Sequence, residues 1–191
     1  MFMQSIIVIA VIVIVVIILL IWVINTRNRF VVLRNRVKDQ AAQLDVQLKR
    51  RFDLIPNLVS VVKGQAGFEK STLEAVIQAR GAAGQAKNLP DTIKANNELT
   101  GALSKLIAVA ESYPDLKSNA GFNQLSSELA DTENKIAYAR QFYNDTVLKF
   151  NNAIQMFPSN IIAGMCGFAE QEFLAAADNE RENVKISAGD F

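Results

Sequence analysis

The sequence contains no histidine, and its 191 residues include a single cysteine, a single tryptophan and four prolines. Without histidine the commonest general base is missing, as are the usual Ser-His and Cys-His nucleophile pairs and the commonest metal ligand. The one cysteine, Cys166, can form neither an internal disulfide nor a zinc cluster. Net charge is scarce too. Lys and Arg number 20 against 19 Asp and Glu, a formal charge of +1. That balance argues against a general nucleic-acid binder, and no nucleic-acid partner is expected. Most enzyme classes are weakened before any motif is sought.

Charge is wholly absent from the first 26 residues. Within them, Ile6 to Ile24 read IIVIAVIVIVVIILLIWVI, 19 apolar residues in a row. A strand of that length is outside the normal range. A helix satisfies every backbone group within itself, and at about 1.5 Å per residue it spans roughly 28 Å, close to the ~30 Å of a bilayer core. A cleaved signal peptide would need a positive start, a shorter apolar run and a small-residue cleavage site. Here MFMQS precedes the run and Asn25-Thr26-Arg27 follows it. An uncleaved single span is therefore expected.

Lys and Arg flank the run on one side only, as Arg27, Arg29, Arg34, Arg36 and Lys38. Positive charge close to a span stays cytoplasmic. The expected topology is a cell-membrane protein with its N-terminus outside and its main domain cytoplasmic. The same five residues are candidates for contact with anionic lipid, although setting topology alone would also account for them. The bilayer is thus one expected partner.

Beyond the run the apolar residues fall at helical spacing. Phe30, Leu33, Val37, Ala41, Leu44, Leu48, Phe52, Ile55, Leu58 and Val62 form one stripe, with Pro56 inside it and a kink expected near Leu54–Asn57. A second helix is expected over Phe68–Ala83, with Ser71 and Glu74 at capping-box spacing, and a third from a cap at Asp91 to about Ser112. A fourth runs from Phe122 to Phe157 with near-heptad, coiled-coil-like spacing. Glu170–Asp178 suits a short helix before a polar tail. No stretch alternates like a strand. The fold class expected is all-α: a transmembrane helix, then an antiparallel four-helix bundle. The boundaries expected are residues 1–26 for the anchor, 27–168 for the bundle and 169–191 for the short helix and tail.

Three stretches carry further information. They are Arg50-Arg51-Phe-Asp53-Leu-Ile-Pro56-Asn57-Leu-Val59, then Glu111-Ser-Tyr113-Pro114-Asp-Leu-Lys117, then Glu133-Asn134-Lys-Ile136-Ala-Tyr-Ala-Arg140-Gln-Phe-Tyr143-Asn144. Together with the single span they resemble the LemA family of bacterial membrane proteins, in order, from about Asn28 to Phe168. The resemblance implies an N-out anchor and a cytoplasmic antiparallel helical bundle, and no established reaction. The chain departs from the family pattern where Ala41 stands near the place of a usual Trp and Phe68 stands where the family often has His. Histidine chemistry at that second place is closed to this chain.

The same motifs supply the candidate site residues: Arg51, Asp53, Asn57, Glu133, Asn134, Arg140 and Asn144. Polar groups beside apolar stripes must be paired once buried, so an internal structural network is expected; a ligand site inside the bundle is the competing reading. Asn57 or Arg51 is expected to help satisfy the carbonyl that Pro56 leaves free. Without histidine the Glu-x-x-His pattern of di-iron bundles is missing, and no loop has a calcium signature, so no catalytic residue, metal site or cofactor is expected. Cys166, in apolar surroundings, is expected to be a buried structural thiol.

The reading that follows is a membrane-anchored, non-enzymatic helical scaffold that assembles with itself, with an unidentified protein as a further partner. Two alternatives stand beside it. One is a ligand sensor or enzyme using the Arg/Glu/Asn cluster. The other is an accessory subunit of a membrane transport or proteolytic complex.

Overall fold

The computed structural model describes residues 2–65 and 67–175. Among them all regular structure is helical: α1 Phe2–Lys63, α2 Lys70–Gln85, α3 Leu89–Ala110, α4 Pro114–Lys117, α5 Ala120–Gln155 and α6 Ser159–Met165. The chain is all-α. Its contacts divide it into two compact units, residues 2–40 with Phe142–Phe173, and Ala41–Gln141 with residues 174–175. Helices α1 and α5 each contribute to both.

The first unit begins with the apolar run. Every side chain from Phe2 to Asn25 is exposed, and this is the one helix among the described residues that is long and apolar enough to cross a membrane. The same helix then turns inward. Phe30 and Val37 are buried, as are Val147, Phe150, Ala153 and Ile154 of α5 and Ile162 and Ala163 of α6. Phe168 packs edge-on against Phe30 and Phe150, and Arg34 lies 5.1 Å over its ring. The short helix expected over Glu170–Asp178 is absent from Glu170–Ala175; Asp178 lies outside the described residues, as does the polar tail. The physical reason is Asn151. Its side-chain oxygen accepts from the Gln171 N–H and its Nδ2 donates to the Gln171 carbonyl, both at 2.9 Å. An amide that meets both backbone groups of one residue replaces the bonds a helix would make.

The second unit is a four-helix core. Ile55, Leu58, Val59 and Val62 of α1 meet Leu73 and Val76 of α2, Leu99, Leu103, Leu106 and Ala110 of α3, and Phe122 and Leu129 of α5. Leu116 of α4 belongs to the same core. Each Val, Leu, Ile or Phe side chain among them contributes about 1.5–3 kcal/mol by leaving water. Thr132 sits fully buried on the same stripe, and its hydroxyl donates to the Glu128 carbonyl at 2.7 Å.

Two helix starts differ from expectation. Glu69, not Ser71, precedes α2; Ser71 Oγ donates to the Glu69 carboxylate at 2.7 Å, which holds that carboxyl below its usual pKa, and no capping box forms. For α3 the cap is Asn88 rather than Asp91. Its side-chain oxygen accepts from the Asp91 N–H at 2.9 Å, with Pro90 in the first turn. The Tyr113-Pro114 pair ends one helix and starts the next. Tyr113 stacks on Phe68 and its hydroxyl donates to the carbonyl of Gly67, a residue at φ +79°. Phe68 is therefore a packing residue here.

Candidate functional site

Helix α1 carries Pro56 without interruption. Proline has no N–H, so the carbonyl of Phe52 loses its intrahelical partner. Neither Asn57 nor Arg51 meets it. Arg80 of α2 does: its Nε donates to Phe52 O at 3.2 Å while its guanidinium lies 3.9 Å over the Phe52 ring. One α2 side chain thus answers a defect in α1 and packs on the residue that carries it.

One residue before Phe52, Arg51 is only 3% exposed. Its guanidinium pairs with the Glu133 carboxylate of α5. Its Nη1 also donates to Asn96 Oδ1 at 3.2 Å and Thr100 Oγ1 at 2.9 Å, both on α3. The Thr100 hydroxyl lies 3.0 Å from the Asn96 carbonyl and 3.3 Å from Glu133 Oε2. Burial pulls the Arg51 pKa below its ordinary value, and the Glu133 charge opposes that shift. The guanidinium stays charged, because arginine is not deprotonated in proteins. A cation that has left water is held by a carboxylate, an amide and a hydroxyl, and three helices are tied together in the process.

Of the residues singled out in the sequence, the structure brings Arg51 and Glu133 together. Arg140 is buried on α5, two turns beyond Glu133, and Asn144 is half-buried. Asp53, Asn57 and Asn134 are exposed, and Asp53 pairs with Lys49 at 2.9 Å instead. At ~100° per residue, Asp53 and Asn57 lie far round the helix from Arg51, and Asn134 lies one step off the Glu133 face. Arg27, Arg29, Arg34, Arg36 and Lys38 are all exposed. Cys166 is a correction: it is exposed, not buried. It sits just past α6 with its N–H on the Ile162 carbonyl, while Ile162 and Ala163 take the inward positions. Asn96, Thr100 and Arg80 were missed. Asn96 lies three residues before Leu99, so extending the α3 stripe back one turn finds it.

Asn96 also floors a groove of about 170 Å³ beside the network. Leu48, Phe52 and Leu99 form apolar walls, with Asp45, Lys49 and Thr92 at the polar positions. The Asn96 Nδ2 donates to no described residue. A Cβ at Gly84 would come within 3.2 Å of the Phe52 ring, so glycine keeps that wall open.

The profile of the LemA family matches residues 40–187. The chain belongs to the LemA family. Among its relatives are the magnetosome protein MamQ of Magnetospirillum gryphiswaldense, 25% identical over 76% of this chain, and MamQ 2 of Paramagnetospirillum magneticum, 26% identical over the same share. The LemA protein of Metamycoplasma hominis is 25% identical over 86% of this chain and 75% of its own length. The chain spans 63% of the length of the magnetosome proteins it matches. The family stretches have distinct places in the structure. The first carries Arg51 and the Phe52–Pro56 defect, the second closes α3 onto Phe68, and the third carries Glu133 and the buried Arg140.

Proposed function

We propose that this LemA-family protein is a membrane-anchored helical scaffold that acts by contact rather than by catalysis and assembles with copies of itself at the cytoplasmic face. The observation that carries the reading is α1. Its apolar run, exposed on every side, continues as the same helix into the packed segment Phe30–Val37. A helix apolar all round needs lipid about it. The Lys and Arg that follow it favour a cytoplasmic position for the rest.

The polar residues support contact over chemistry. Arg51 and Glu133 neutralise each other and hold helices together, and the three named relatives carry no reaction in their names. Confinement to a plane raises effective concentration, so weak contacts suffice for assembly.

One observation favours a second reading, a small-ligand sensor. The Asn96 amide faces the groove with a donor to spare. Purification of the full chain in mild detergent separates the two. A mass of two or more times 21.0 kDa, without a stoichiometric small molecule, supports the scaffold. A single-copy mass with such a molecule retained overturns it.

A further inference from the structure

The α5–α6 corner, in the first unit, combines three observations. First, it is apolar and uncovered. Phe157 is 80% exposed, Met165 82% and Met156 63%, with Ile161 beside them. Second, it carries no charge: from Phe150 to Ala169 no side chain is ionisable except the thiol of Cys166. Outside the first 26 residues no uncharged stretch is as long. Third, its height along α1 is fixed at two points. Arg29 and Leu33 of α1 share one groove with Lys149, Asn152, Met156 and Ser159. At the other end of α6, Phe168 packs on Phe30 with Arg34 over its ring.

Those points place the corner just below the end of the apolar run. From Ile24 to Arg29 is five residues, about 7.5 Å of helix, and to Leu33 about 13.5 Å. The headgroup layer on each side of a bilayer core is roughly 5–8 Å thick. Apolar side chains on that scale enter the headgroup–acyl boundary by about 5–10 Å, and neighbouring Lys and Arg meet lipid phosphates.

We propose that the α5–α6 corner is a second membrane contact, with Met156, Phe157, Ile161 and Met165 seated in the cytoplasmic interface and Arg29 and Lys149 facing anionic phosphate. The occupant is the bilayer that the apolar run already crosses, so the proposal rests on the reading of Ile6–Ile24 as a span. The contact explains why an exposed corner of a folded protein lacks charge. It gives the chain two attachments to one leaflet, which fixes its rotation about the anchor as a single span alone does not.

The native Cys166 supplies the probe. A nitroxide is attached to it in the full chain, reconstituted in vesicles of phosphatidylcholine and phosphatidylglycerol, and its collisions with oxygen and with a water-soluble nickel chelate are compared. Two reference labels, V11C and S112C, are placed in a Cys166→Ser background. The expected result is a Val11 label in hydrocarbon, a Ser112 label in water, and a Cys166 label several-fold less open to nickel than Ser112 yet open to oxygen. A Cys166 label as open to nickel as Ser112, with Val11 in hydrocarbon, overturns the corner contact and leaves the anchor standing. A Cys166 label shielded from both reagents overturns it in favour of a protein cover. A Val11 label in water overturns the anchor and the proposal with it. In the paired variant Met156→Ser with Met165→Ser, both exposed, nickel access at Cys166 should rise several-fold; no change would contradict the role given to these side chains.

Discussion

Arg80 donates its Nε to the carbonyl of Phe52 at 3.2 Å and lays its guanidinium 3.9 Å over the same residue's ring. The carbonyl is free because Pro56, four residues on, has no N–H to offer. This makes Arg80 and Pro56 energetically coupled although they do not touch in sequence. Arg80→Ala should lower the stability of the full chain in detergent by about 1–2 kcal/mol, the worth of one charged hydrogen bond and a part-exposed cation–π contact. In a Pro56→Ala background the carbonyl regains its partner, and the same substitution should cost about 1 kcal/mol less. Thermal unfolding followed by circular dichroism measures all four corners of the cycle; equal costs in both backgrounds would break the link.

The Arg51–Glu133 pair predicts a larger effect. Glu133→Ala leaves Arg51 buried with only neutral partners, and breaking a buried pair costs about 3–5 kcal/mol. Because 39% of the Glu133 side chain reaches solvent, a loss near the lower end, about 3 kcal/mol, is expected. Denaturant unfolding of the two chains checks it. A loss within about 0.5 kcal/mol would mean that the pair does not hold the helices.

Tyr143 predicts a pH dependence. Burial, then the nearby Glu172 charge, raises its pKa above the usual phenol value. The folded chain therefore keeps the phenol proton to higher pH than the unfolded chain does. The resulting stability is fully present below the unfolded pKa of about 10 and is lost as pH rises through the folded value. Relative to Tyr143→Phe, the unsubstituted protein should lose stability more steeply above about pH 10. Parallel curves for the two proteins would contradict the burial argument.

The cytoplasmic assignment has its own check. In a Cys166→Ser background, Ser5→Cys should react with a membrane-impermeant thiol reagent on intact cells, and Ser112→Cys only after the cells are opened. The reverse pattern would place the bundle outside.

Much of this was legible in the sequence, for one physical reason. The apolar stripe of a helix repeats every turn, so Phe30, Val37, Leu44, Ile55, Leu58 and Val62 could be picked as core from spacing alone, and all are buried. What stayed hidden lay off the stripe or across helices. Asp53 and Asn57 share the family stretch with Arg51, but adjacency in sequence turns them to water. Arg80, 28 residues from Phe52, has no local pattern that marks it as the partner of a proline defect. Phe157 extends the α5 stripe in sequence yet is 80% exposed, because the helix ends at Gln155 before that position can be covered. Cys166 is exposed for a related reason: its apolar neighbourhood has the composition of a core but faces outward.

Assembly at the membrane is read by counting copies in place. A fluorescent protein fused to the chain is expressed at low density, and stepwise photobleaching is recorded in native membrane patches. Spots that bleach in two or more steps at every density are predicted. Spots that bleach in a single step throughout would show isolated copies and contradict the self-assembling scaffold.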